Sequence, residues 1–137
     1  MRQDDYYLKQ IDLLGKILGK IVSDILKTNS TDDVMEGIEA ASQALKNEVG
    51  INLNDLLNKN NDEIVTFLQQ DKKLNNNHLE KLAEILFELG KEHHSEYKKN
   101  LFEKSLTIYS FVNNNSSTYS IERVNKMDKI NKILINL

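Results

Sequence analysis

Apolar residues return at intervals of three and four through most of the chain, and this regularity excludes most folds. Tyr7, Ile11, Leu14, Leu18, Ile21, Val22 and Ile25 follow it over the first such stretch, and Leu13, Ile17 and Leu26 widen the stripe. An α-helix turns about 100° per residue, so a set with that spacing lies on one face. No stretch of useful length alternates apolar and polar residues as a half-buried strand does. Proline is absent, so no kink or stop is written with it, and boundaries fall to Asn, Ser, Thr and Gly. Asparagine clusters at Asn58/Asn60/Asn61, Asn75–Asn77 and Asn113–Asn115. Each interrupts the periodicity and reads as a loop.

The pattern gives a long amphipathic helix over 4–27, then a capping box in which the Ser30 hydroxyl accepts from the third backbone N–H and Asp33 reaches back. A second helix over about 32–47 carries Val34, Ile38, Ala41 and Leu45, and Gly50 is its stop. Residues 52–70 hold a short turn around Leu53, Leu56 and Leu57 and a further piece with Ile64, Val65, Phe67 and Leu68. Asn77 and Glu80 form a cap-like pair before a helix with Leu79, Leu82, Ala83, Leu86, Leu89 and Gly90. The polar KEHHSEYKK leads into a helix carrying Leu101, Phe102, Leu106, Ile108, Tyr109 and Val112. A last helix over 119–137 is capped by Thr118 or Ser120. The expectation is one all-α domain over 1–137, an antiparallel bundle of about six helical segments. A chain of 137 residues is too short for two comfortable domains.

Several function classes drop out. Net charge is -3 with a pI near 5.6, and phosphate binding needs a basic patch, so nucleic acid is not the expected partner. Without cysteine there is no thiol nucleophile, thiolate metal site or disulfide. Asp4 and Asp5 stand where a secretory leader needs a basic flank. No apolar run approaches the roughly 18 residues of a membrane span, so the expected location is the cytoplasm.

Catalytic patterns are equally absent. His93 and His94 are adjacent, about 100° apart on a helix, and cannot converge on one ion as i,i+4 histidines do. Glu80, Glu84 and Glu88 have the spacing of a solvated ridge, and no Glu-x-x-His element of a di-metal bundle occurs. GKILGK lacks the loop glycines and terminal Lys-Ser/Thr of a nucleotide site. No catalytic, metal-binding or cofactor-binding residue is expected. A small helical enzyme or ligand-binding protein is the second reading, and it requires polar groups converging in a buried pocket.

The first helix carries the functional signal. Its apolar arc is broader than one core stripe needs, and apolar surface of that kind is buried inside the domain or against another molecule. Tyr7, Ile11, Leu14, Leu18, Ile21 and Ile25, together with Phe102, are the candidate interaction residues. A homodimer is the simplest closed partnership, with a further protein partner as the scaffold reading. Gly15 and Gly19 share one side and leave room for close approach of a neighbour. Lys9, Lys16, Lys20 and Lys27 lie on the opposite face, where an anionic membrane surface is a third possibility. Asp5, Asp12 and Asp24 reduce the local charge to about +1, as on any solvated helix face.

Residues 82–109, LAEILFELGKEHHSEYKKNLFEKSLTIY, resemble a tetratricopeptide helix pair. Leu86, Leu89 and Gly90 match the first-helix packing places of that family, and Phe102, Leu106 and Tyr109 lie near the second-helix places. The resemblance implies a helical hairpin over 79–112. Bulky Phe102 departs from the family's small residue and the closing proline is missing, so it implies no solenoid. DYYLKQIDLLGKILGKI and SLTIYSFVNNNSSTYSIERVNKMDKI also resemble the ends of a set of small bacterial helical proteins, which implies fold but no activity.

Overall fold

The computed structural model describes the backbone of residues 3–28, 34–92 and 95–137, and the side chains of these residues except 3–8, 11, 28, 34, 35 and 95. The Ser30–Asp33 box and the His93–His94 pair lie outside the described residues.

Every described element is helical: α1 (Gln3–Thr28), α2 (Val34–Ala44), α3 (Leu53–Leu57), α4 (Asn61–Thr66), α5 (Asn76–Glu92), α6 (Ser95–Asn115) and α7 (Ile121–Ile135). Among the described residues this is an all-α bundle of seven helices without strands. The extra helix arises because α3 and α4 separate. The Asn58 N–H closes α3 on the Asn54 carbonyl, and extended Asn60 opens α4.

α5 is the centre of the bundle. Leu79, Leu82, Ala83, Ile85, Leu86, Phe87 and Leu89 are all buried, more than one stripe of a helix, so neighbours must cover it on several sides. α1 and α6 pack along it, and α7 lies chiefly against α6. The cap of α5 lies at Asn75, two residues before the expected Asn77. The Asn75 side chain accepts the His78 N–H at 2.9 Å, and His78 Nδ1 accepts the Asn75 N–H at 3.2 Å. This is a reciprocal capping box with histidine in the usual glutamate place. Ser120 caps α7 as expected, accepting the Arg123 N–H at 3.2 Å.

The α5–α6 contact is close because Gly90 faces Phe102. A Cβ built on Gly90 would stand 3.2 Å from the ring of fully buried Phe102. The ring sits edge-on to Phe87, with centroids 5.7 Å apart at 74°, a favoured aromatic geometry. Ser105 Oγ donates to the Ala83 carbonyl at 2.7 Å and satisfies its own burial. α3 and α4 are tied to α6 by polar links: Asn100 Nδ2 donates to the Leu57 carbonyl at 3.0 Å, and Lys104 Nζ to Asn61 Oδ1 at 2.7 Å.

Gly15 and Gly19 both face Lys81 of α5, with more room than Gly90 has. Lys81 Nζ donates to the Gly15 carbonyl at 3.0 Å, and a Cβ on Gly15 would meet nothing nearer than 3.6 Å. The space at Gly15 is ordinary; the space at Gly90 is not. Gly15→Ala is therefore expected to stabilise by up to about 1 kcal/mol through helix propensity. Gly90→Ala is expected to destabilise, because overpacking a core by one methyl costs about 1–3 kcal/mol and outweighs that gain. Thermal unfolding of the two variants should show midpoint shifts of opposite sign.

Candidate interaction groove on the first helix

The apolar arc of α1 divides into three strips. Leu18, Ile21 and Ile25 are buried in the core, with Leu14, Ile17 and Val22 partly buried against it. Leu26 lies on the glycine flank and is 46% exposed. On the other flank Leu13 is 57% exposed, beside Ile17. Lys9, Lys16, Lys20 and Lys27 are all exposed, as the opposite stripe requires.

Cover on the Leu13 flank runs out along the helix. Toward the end of α1, Ile21, Asp24 and Ile25 meet Gly37, Ala40, Ala41 and Ala44 of α2 across a small gap. Toward its start that cover is replaced by a groove of about 350 Å³. Its floor is Gln10, Leu13, Leu14 and Ile17, one i, i+3, i+4, i+7 stripe. The groove is also lined by Glu48, from the segment after α2, and by Lys72 and Lys73, from the segment after α4.

Both segments come from unusual helix ends. α2 continues into a π-helical turn, Leu45–Val49, and α4 into another, Phe67–Asp71. In the first, the N–H groups of Gly50 and Ile51 both reach the Leu45 carbonyl. In the second, the Lys72 N–H reaches Phe67 and the Leu74 N–H reaches Leu68. Each widened turn is followed by a left-handed residue, Gly50 at φ 78° and Lys73 at φ 60°. Glycine adopts that region freely, whereas an L-residue is strained there by about 1–2 kcal/mol. π-turns and strained residues cluster at functional positions.

The sequence-derived interaction residues fall into three groups. Leu18, Ile21, Ile25 and Phe102 are buried within the chain's own core; Leu14 is half-buried at the groove floor. Tyr7 and Ile11 lie on α1, but their side chains are outside the described residues. The groove residues Leu13, Glu48 and Lys73 were not among the candidate interaction residues, although Leu13 was seen to widen the apolar stripe. Leu13 carried a visible signal, since it falls outside the core stripe; Glu48 and Lys73 carried none, because only the fold brings them to α1.

A second polar concentration joins α5, α6 and α7, and here the solvated-ridge expectation fails. Glu88 is only 2% exposed, paired with Lys91 at 2.9 Å and Lys126 at 3.5 Å. Arg123 is buried and uses all three guanidinium nitrogens, donating to Glu80 at 3.0 Å, Asn113 at 3.1 Å and the Thr118 carbonyl at 2.8 Å. Lys126 also stands 4.3 Å from the Phe87 ring centre. α7 covers the α5 carboxylates, so i,i+4 spacing that usually marks solvent marks an interface instead. Burial raises the Glu84 carboxyl above its ordinary value, Lys126 opposes the shift, and Glu88, Glu122 and Glu80 add to it. Burial, with Glu84, Glu80 and Glu88, likewise holds the Tyr109 hydroxyl protonated. The groups are matched to one another, as a docking clamp requires. Among the described residues no cluster of His, Asp and Glu has the arrangement of a metal site, and no helix is long and apolar enough to cross a membrane.

Comparison of the chain with family models, curated proteins and solved structures gives no match to any of them.

Two variants check this geometry. Lys73→Gly is expected to stabilise the chain by about 0.5–1 kcal/mol in denaturant unfolding, since relief of left-handed strain exceeds the added entropy of the unfolded chain. A raised folded pKa means that the native state holds the Glu84 proton more tightly than the unfolded chain. Ionised Glu84 therefore weakens folding above its folded pKa, and the penalty disappears as pH falls below the ordinary 4.5. Glu84→Gln should raise the melting temperature at pH 7, with a gain that shrinks toward pH 4.

Proposed function

We propose that the protein is a helical interaction module that self-associates through the uncovered flank of α1, serving as a scaffold element. The observation that carries the reading is the groove itself. Leu13 is 57% exposed on the floor of a 350 Å³ groove, on a helix whose neighbouring apolar strip is core. An isolated exposed leucine needs no explanation, but an apolar stripe set in a groove marks a contact surface. The dimer expected from the breadth of the first helix is retained with a smaller set of residues. Leu13, Leu14 and Ile17 take the place of Leu18, Ile21 and Ile25, which the core already uses.

The tetratricopeptide likeness belongs to the same proposal. α5 and α6 pair side by side as such a hairpin does, with Gly90 at the family's small place and Phe102 filling the contact where the family has a second small residue. α7 covers the hairpin as a following helix would, which leaves α1 as the side offered to a partner.

Light scattering on a sizing column over a hundredfold concentration range tests the reading. The expected mass at high concentration is twice the 15.8 kDa chain mass. Leu13→Glu should return the chain to monomer with its helical circular dichroism intact, because that side chain is outside the core. A wild-type mass fixed at 15.8 kDa throughout would overturn the proposal.

A further inference from the structure

Resting on the self-association reading, we infer that the groove seats a second copy across a two-fold axis, registered by Glu48 against the lysine pair Lys72 and Lys73 of the opposite copy. A two-fold interface joins one patch to itself, so any charge on it must find its complement on that same patch. The groove supplies both signs. Glu48 comes from the end of α2, and Lys72 and Lys73 follow α4. Among the described residues no ion pair joins Glu48 to either lysine. Rotation about an axis that passes between Glu48 and the lysine pair exchanges the two, bringing the acid of one copy to the base of the other. A uniformly acidic or uniformly basic partner helix would leave one of these charges facing like charge, which opposes binding.

Lys73 adds a second, independent observation. Its backbone is held at φ 60°, where glycine would be less strained. Its side chain is exposed and, among the described residues, engages in no hydrogen bond, ion pair or ring contact. A strained residue whose side chain does nothing for its own fold is suited to an intermolecular task. Lys72 is partly occupied, with Nζ 5.6 Å from the Phe67 ring centre, so Lys73 is the freer of the two cations.

The test is a charge exchange, read by sedimentation equilibrium at low and at physiological salt. Glu48→Lys alone, and Lys72→Glu with Lys73→Glu in another chain, should each weaken homodimer formation by about tenfold or more. An equimolar mixture of the two reversed chains should restore association. In the mixed dimer the lysine introduced at position 48 faces two introduced glutamates, and the native Glu48 of the other chain faces two native lysines. Lys73→Gly should weaken association while raising resistance to denaturant, a combination that damage to the fold cannot produce. If the wild type dimerises and Leu13→Glu abolishes it, but both reversed chains dimerise as the wild type does, the two-fold charge register is wrong and the self-association reading stands. If the reversed chains are monomeric and their mixture stays so, the pairing of Glu48 with the lysines is also wrong. A wild type that remains monomeric overturns both.

Discussion

The close approach of α5 and α6 is the contact on which the rest of the bundle depends. It depends on the absence of one carbon, because a Cβ at position 90 would stand only 3.2 Å from the Phe102 ring. With the ring seated there, Phe87 takes its edge, Ser105 reaches the Ala83 carbonyl, and α5 is held along one side. α1 can then occupy another side, with Lys81 crossing to the Gly15 carbonyl. Interiors packed at crystal density transmit such local constraints across a domain.

The two ends of the chain are attached by different physics. α1 is attached by apolar burial of Leu18, Ile21 and Ile25, which is strong but tolerant of small rotations. α7 contributes few fully buried apolar groups and is held by Arg123 and Lys126 on the α5 carboxylates. Buried ion pairs add little net stability relative to an apolar core, yet they are specific about geometry. Arg123 has partners on α5 and α6 and in the loop before its own helix, so it fixes the direction in which α7 leaves that loop. The bundle thus combines a forgiving attachment at one end with an exacting one at the other.

The groove is a consequence of how helices end. An ordinary α-helical finish to α2 would return the chain along a different path. Glu48 lies in one π-turn and Lys72 and Lys73 follow the other, and both segments line the groove with Leu13. Free energy is retained in this arrangement, since the left-handed conformation of Lys73 is strained and Leu13 remains in water. In the proposed dimer, contact with a second copy relieves the exposure of Leu13 and gives the groove charges partners of opposite sign.

Local pattern alone determined that the chain is helical, where most helices run, that Gly50 and Ser120 mark boundaries, and that α1 carries more apolar surface than one stripe. These follow from periodicity, capping chemistry and the missing proline, all of which act over a few residues. Tertiary structure alone decided which part of that surface is core. Leu18, Ile21 and Ile25 and the exposed Leu13 have the same chemistry and nearly the same spacing. They differ only in whether α5 and α2 reach them. The same holds for Glu84 and Glu88, whose spacing is that of a solvated ridge until α7 covers them, and for Glu48 and Lys73, which sequence places 25 residues apart. Burial is a property of neighbours in space, and short-range pattern carries no record of which distant segment arrives.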